Sequence, residues 1–317
     1  MVDALRQSAA AALPQLVVFS EALTDMIRGA DGGWIDRPGG GGWNAARVAS
    51  RLGVRTAFAG AISADYFGNA ISDGSLAAGL DPRFMQRVTR VPLLAMVTSI
   101  EPPTYQFIGN NSADLAFDPS LLPENWLAEA KIIQFGGISL ARAPLADRLL
   151  AVAIQAADAG CCVALDPNFR AAACDAMYHK RVYAIAERSR FIKVSDDDLA
   201  GLFPQLDAGA AIAELQRIAP AAEILLTLGA SGMQLFSAAN RYECAAYTTR
   251  VIDTVGCGDA AMGSWIASQI RDPEGAPVVH LHRAAAAAAI AASQCGAYAP
   301  TVQELREFLD AQDVIGD

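Results

Sequence analysis

Histidine is scarce, with three residues in 317, and the six cysteines (Cys161, Cys162, Cys174, Cys244, Cys257, Cys295) show no CxxC spacing. That leaves few ligands for a metal and no framework for a disulfide-stapled secreted domain, so free thiols in a reducing cytoplasm are expected. Basic charge is also thin. Against 34 acidic residues stand 24 Lys and Arg, net −10, with no basic cluster. Nucleic acid and anionic membranes are poor partners for such a surface, and any polyanion must be held locally. No apolar run of about 18 residues escapes a charge or turn residue, which argues against a membrane span. The N-terminal "LRQSAAAALPQLVVF" resembles a leader only superficially: Pro14 interrupts it, and "LVVF" reads as a first buried strand after a loose tail.

What the chain does have is 53% hydrophobic residues and enough length for a large core. Short apolar runs, "LVVF" (16–19), "TAFAGAI" (56–62), "KIIQFGG" (131–137), "CVALDP" (162–167), "FIKVS" (191–195) and "EILLTLG" (223–229), alternate with helical patterns such as 144–160 and 208–219. This alternation predicts βαβ units: an α/β fold with a mainly parallel sheet covered by helices on both faces. Two segments break it, about 24–38 and about 91–110, with Pro and Gly punctuation that suits extended hairpins in a small β appendage. No linker divides the chain, so residues 1–317 read as one domain.

The stretch "VIDTVGCGDAAMGSW" (251–265) carries the chemistry. A glycine turn at the carboxyl end of a strand, feeding a helix, leaves backbone N–H groups unpartnered at the positive end of the helix dipole. An anion can sit on the amides of Gly256, Cys257 and Gly258. Asp259 in the first helical turn is either an ordinary capping residue or, beside a bound phosphate that it would otherwise repel, a base for an attacking hydroxyl.

"DTVGCGDAAMG" resembles the DTxGAGDxFxxG signature of ribokinase-like (PfkB) carbohydrate kinases, and further landmarks follow in order along the chain. "FSEALTDM" resembles the opening strand that ends in a sugar-binding aspartate, "GGGGWNAARVASRLG" the GGxxxN motif, and "GAISADYFGNAI" the GxxDxxG segment. "LDPNFR" resembles the DxNxR strand end of fructokinases and ketodeoxygluconate kinases, "LLTLGASG" the nucleotide-side turn, and "SQCGAYAP" the late GA loop.

The resemblance implies a Rossmann-like domain with a β-sheet lid, and transfer of the γ-phosphoryl group of ATP to a sugar hydroxyl with Mg²⁺ on the phosphates. It implies Asp259 as base and the Gly256, Cys257 and Gly258 amides as anion hole. The sugar would meet Asp25, Gly40, Gly41, Asn44, Phe107 and Arg170. The nucleotide would meet Ser195, Thr227, Gly229 and Gly232, together with Gly256 and Gly258. Asp198 would serve Mg²⁺. Asp253 either helps bind a monovalent cation such as K⁺ or caps its own turn. Tyr105 and Phe107 alternate on one strand face that covers either the sugar ring or the core. A cytoplasmic homodimer joined through the lids is expected of such a protein.

Some positions depart from the family pattern. "SDDD" stands where NxxE is usual, with Ser195 at the Asn and Asp198 at the Glu position. Cys257 replaces alanine, Ala261 a common phenylalanine, and Ser20 a glycine. Gly109 stands where ketodeoxygluconate kinases and some fructokinases carry a lid arginine, the usual carboxylate ligand, which favours a neutral sugar; Arg170 either supplies charge to a substrate or to the transferred phosphoryl group or forms a salt bridge at its strand end. A fructokinase is the leading expectation. Ketodeoxygluconate kinase comes next, then ribokinase or nucleoside kinase, with an inactive sugar- or nucleotide-binding regulator as the non-enzymatic alternative.

Overall fold

The computed structural model describes residues 12–312, apart from 30, 101–102, 172–176 and 239. The tail expected before Pro14 falls largely on 1–11, outside the described residues. Strand β1 (Leu16–Phe19) leads into a hairpin of β2 (Leu23–Arg28) and β3 (Trp34–Gly39), followed by helix α1 (Gly41–Arg51). Then come β4 (Thr56–Ser63), α2 (Tyr66–Ala77), β5 (Met85–Val88), and a second hairpin of β6 (Leu94–Ile100) and β7 (Pro103–Ile108). The middle of the chain runs α3 (Trp126–Glu129), β8 (Ile132–Gly136), α4 (Leu145–Asp158), β9 (Cys162–Asp166), α5 (Tyr178–Ala186), β10 (Ser189–Ser195) and α6 (Asp196–Leu202). It closes with α7 (Ala208–Ile218), β11 (Glu223–Thr227), the hairpin β12 (Met233–Ser237) and β13 (Asn240–Cys244), and helices α8 (Cys257–Arg271), α9 (Pro277–Ala292) and α10 (Val302–Asp310).

The large sheet has nine strands in the order β13-β12-β11-β10-β9-β8-β1-β4-β5. All neighbours from β11 to β5 are parallel, and the β12–β13 hairpin adds an antiparallel edge. Each apolar run of the sequence became a strand of this sheet because parallel strands are covered on both faces. Every residue of β1 and β4 is buried, so continuous rather than alternating hydrophobicity is what the position demands. One cluster packs α1, α8 and α9 against one face; another packs α4, α5 and α7 against the other. The Ala-rich tract is the interior of α9, where Ala284 to Ala292 are all buried and let α8 approach closely.

The two segments that break the alternation form a second sheet, in the order β3-β2-β6-β7. It is mixed, with β2 and β6 parallel and the other pairs antiparallel. One row across it reads Arg37, Asp25, Ala95, Phe107, which puts Asp25 and Phe107 on one face. Among the described residues no helix is long and apolar enough to cross a membrane. Cys161, Cys162, Cys244, Cys257 and Cys295 are unpaired thiols, and Cys174 lies outside the described residues.

Candidate active site

Two helix N-termini meet at the carboxyl edge of the large sheet. The residues before them have backbones that exclude most side chains: Gly40 precedes α1 with φ 117° and Gly256 precedes α8 with φ 80°. A Cβ on Gly256 would also lie 2.7 Å from Ala297. Helices α1 and α8 pack backbone to backbone where Gly263 faces the Ala45 carbonyl and Val48. Their first turns are therefore neighbours. Neither has a side-chain cap. Among the described residues the N–H groups of Gly256, Gly258 and Asp259 bond no acceptor, while that of Cys257 makes a long 3.3 Å bond to the Thr254 carbonyl. Unpartnered amides at this edge can receive an anion.

Asp259 stands where the two turns touch. Asn44 Nδ2 donates to its Oδ2 at 2.9 Å, and Arg47 Nη1 donates to Asn44 Oδ1 at 3.4 Å, which orients the amide. A Cβ on Gly41 would meet Asp259 Oδ1 at 3.2 Å and run into the Asn168 amide, so Gly41, Asn44, Asn168 and Asp259 surround one small space. Burial raises the Asp259 pKa above the usual carboxylate value. The Asn44 hydrogen bond opposes this, as do the charges of Lys193 and Arg170, and Asp198 adds to it.

Asp25 on β2 lies beside Gly39 and close enough to Asp259 for their charges to interact. Burial, then repulsion from Asp259, pushes its pKa up to about 6, and Arg170 moderates the shift. Tyr105 and Phe107 stack with ring centroids 6.2 Å apart and pack on Leu23, Leu93, Ala95 and Ile138. The Arg170 guanidinium lies over the Tyr105 ring at 5.5 Å, and its Nη1 donates to the Phe169 carbonyl at 2.7 Å. This aromatic face closes a small core, and Tyr105 also lies against Arg170.

Further along the edge, Ser195 caps α6 in a reciprocal box with Asp198. Both Asp198 oxygens accept backbone N–H groups, Oδ1 from Phe169 at 2.7 Å and Oδ2 from Ser195 at 2.8 Å, which ties the "DPNFR" turn to the start of α6. Thr227 is in register with Ser195 on the adjacent strand, and Gly229 (φ 54°) and Gly232 (φ 94°) turn the chain after it. No atom lies within 4 Å of a Cβ built on Gly229, whereas one on Gly232 would run into the Cys244 carbonyl. Asp253 closes its own turn by accepting from Val255 N–H at 3.0 Å and clasps the late loop by accepting from Gly296 N–H at 2.9 Å. Burial, with Asp259 and Asp253 adding to it, pushes the Cys257 thiol up to about 11, so it is neutral and unreactive.

The motif reading omitted three contributors. Asn168 holds φ 45°, a left-handed conformation that asparagine tolerates best among residues with a Cβ; its place in "LDPNFR" was the available signal. Arg47, which also donates to the Ala297 carbonyl at 3.3 Å, follows Asn44 by three residues, the spacing of helix neighbours. Lys193 is buried against Gly258 in the first turn of α8, and a lone Lys inside the apolar strand run "FIKVS" was its signal.

This architecture is shared. Residues 14–304 match the pfkB family carbohydrate kinase, and the chain belongs to that family. It is a phosphotransferase of the sugar kinase class, ribokinase-like in fold and fructokinase-like in its relatives. Fructokinase-2 of Oryza sativa subsp. japonica is 30% identical over 279 residues, covering 84% of this chain and 83% of the relative. Probable fructokinase-5 of Arabidopsis thaliana is 28% identical over 302 residues, covering 90% and 93%. The crystal structure of fructokinase with bound ATP from Xylella fastidiosa superposes with TM-score 0.86 at 25% identity, covering 95% of this chain and all of that one.

Proposed function

We propose that this sugar kinase transfers the γ-phosphoryl group of ATP to a hydroxyl of a neutral sugar, with fructose the first candidate. The carrying observation is the Asp259 carboxylate, oriented by Asn44 at the junction of two helix N-termini that have no side-chain cap among the described residues. A sugar hydroxyl beside Asp259 can give up its proton as it attacks, and the Gly256 to Gly258 turn can take the charge on the phosphoryl oxygens. Asp25, Asn44, Asn168 and the Gly40–Gly41 backbone offer hydrogen-bond partners for the remaining hydroxyls. Phe107 and Tyr105 border the ring from the small sheet, which would act as a lid.

Preference for a neutral sugar finds support in the fate of the arginine nearest Gly109. Arg142 does reach that loop, donating to the Gly109 carbonyl at 2.6 Å, but it is paired with buried Asp114 at 2.9 Å and bonded to Ser112 Oγ. Its charge is already compensated and does not serve a substrate carboxylate. Relatives named as fructokinases point the same way.

ATP binding would use the amides of the α8 turn and the Ser195, Thr227, Gly229 and Gly232 edge. Among the described residues no three His, Cys, Asp or Glu side chains gather into a metal cage. A single carboxylate such as Asp198 suits an ion of the Mg²⁺ type, which keeps waters and phosphate oxygens and needs only one or two carboxylates. Asp198, through lone pairs not used by its two N–H partners, would serve it, and the ion would neutralise phosphate charge.

A coupled assay of ADP release with fructose, ribose, ketodeoxygluconate and adenosine tests this. Fructose should give the highest kcat/KM. A higher value with ketodeoxygluconate would overturn the neutral-sugar reading, and ATP binding without turnover on any acceptor would overturn the kinase reaction itself.

A further inference from the structure

Lys193 lies near the end of β10 with its side chain only 5% exposed, yet it carries a full charge into the protein. Its Nζ sits 3.1 and 3.2 Å from the two oxygens of Asp166, at the end of the neighbouring strand β9 and itself buried. The ammonium also lies against the first turn of α8. A Cβ on Gly258 would lie 3.2 Å from Nζ and 3.6 Å from Cε. Gly258, unlike Gly256, has no left-handed backbone that calls for glycine. A side chain there would press on the ammonium packed beneath it.

We propose that Lys193 is a positioning residue of phosphoryl transfer: held from behind by Asp166, it sets a fixed positive charge under Gly258 and beside Asp259. It acts through the helix turn that would carry the transferred group, adding to the helix N-terminus, and through the Asp259 carboxylate, whose ionised form it favours. Burial alone would lower the lysine pKa, but Asp166, Asp198 and Asp259 together raise it, so the ammonium stays charged. The charge is preorganised and needs no rearrangement during reaction, which is the condition under which such a group contributes most. This inference rests on the kinase reading above.

Because a buried pair also supports the fold, the test must separate the two roles. Breaking such a pair on one side destabilises, whereas replacing both members by apolar groups is often neutral. Lys193→Met is therefore compared with Lys193→Met/Asp166→Leu and with Asp166→Asn, each assayed for kcat, KM for ATP and sugar, ATP dissociation constant and thermal midpoint. The expected result is a loss of about 10²-fold in kcat for Lys193→Met, with KM and ATP affinity little changed. The double variant should regain the thermal midpoint but not kcat. Asp166→Asn, which keeps the ammonium, should lose far less activity than Lys193→Met. Recovery of kcat in the double variant, or equal losses in Asp166→Asn and Lys193→Met, would overturn the role. Turnover by the unaltered protein in the same assay keeps the kinase reading standing whatever the variants do; its absence would overturn both.

Discussion

Asn44 and Asp259, 215 positions apart in the chain, are joined by a 2.9 Å hydrogen bond from Nδ2 to Oδ2. The bond favours the ionised carboxylate, since an amide N–H gains more from a charged acceptor than from a neutral one. Removing it in Asn44→Ala lets burial raise the Asp259 pKa further. If Asp259 is the base, the acid limb of the kcat/KM profile moves to higher pH, and kcat/KM falls about 10- to 100-fold, as expected for a hydrogen bond to a charged group. A pH–rate profile of the two proteins side by side measures this; an unmoved acid limb would contradict it.

Asp259→Asn keeps the shape and hydrogen-bonding capacity of the site but cannot take a proton. Turnover should fall about 10²- to 10⁴-fold while ATP affinity holds. Calorimetric titration with ATP alongside the ADP-release assay distinguishes this from a general loss of structure. Full rate in the variant would be incompatible with Asp259 as base.

The two glycines of the α8 turn should respond differently to alanine. Gly256→Ala forces a side chain into φ 80° and against Ala297, costing more than about 1 kcal/mol of stability. Gly258→Ala leaves an ordinary helical backbone and needs only a few tenths of an ångström of give from the Lys193 ammonium. Thermal melts of the two variants should show the larger drop for Gly256→Ala, and the reverse order would contradict the turn geometry described above.

Glu21 offers a pH test of the fold itself. It follows β1, buried, with Oε2 accepting from Ser139 N–H at 2.9 Å and from Ser20 Oγ at 3.2 Å. Burial outweighs these bonds and raises its pKa from 4.5 to about 7. The folded state thus holds a proton that the unfolded chain releases above about pH 4.5. Its contribution to stability is full below that pH and is lost as the pH rises to about 7, by roughly 3 kcal/mol. Glu21→Gln should remove this slope, so that melting curves of the two proteins diverge between pH 5 and 7. Parallel curves would show that burial does not set the Glu21 proton.

Much of this molecule is legible in its amino-acid sequence. Parallel strands buried on both faces leave unbroken apolar runs, and the interruptions at 24–38 and 91–110 mark where the chain leaves that regime for the small sheet. A glycine turn followed by an aspartate at a helix start is a local device, and local devices survive in sequence as short fixed spacings. The exchange of an arginine for Gly109 was also visible, but not that Arg142 would arrive beneath it already paired with Asp114.

Long-range relationships were not legible. Nothing near Asp198 announces that both its oxygens bind backbone amides, one of them in a turn 29 residues earlier. In sequence Lys193 is a lone charge within "FIKVS"; only the fold brings Asp166 of β9 beside it and lays Gly258 of α8 over it. The amino-acid order determined the α/β architecture and the residues able to bind an anion, because these follow from periodicity and backbone conformation within a few positions. Tertiary structure alone decided which charges compensate one another, because a buried charge is set by whatever the packing brings within a few ångströms, however distant in the chain.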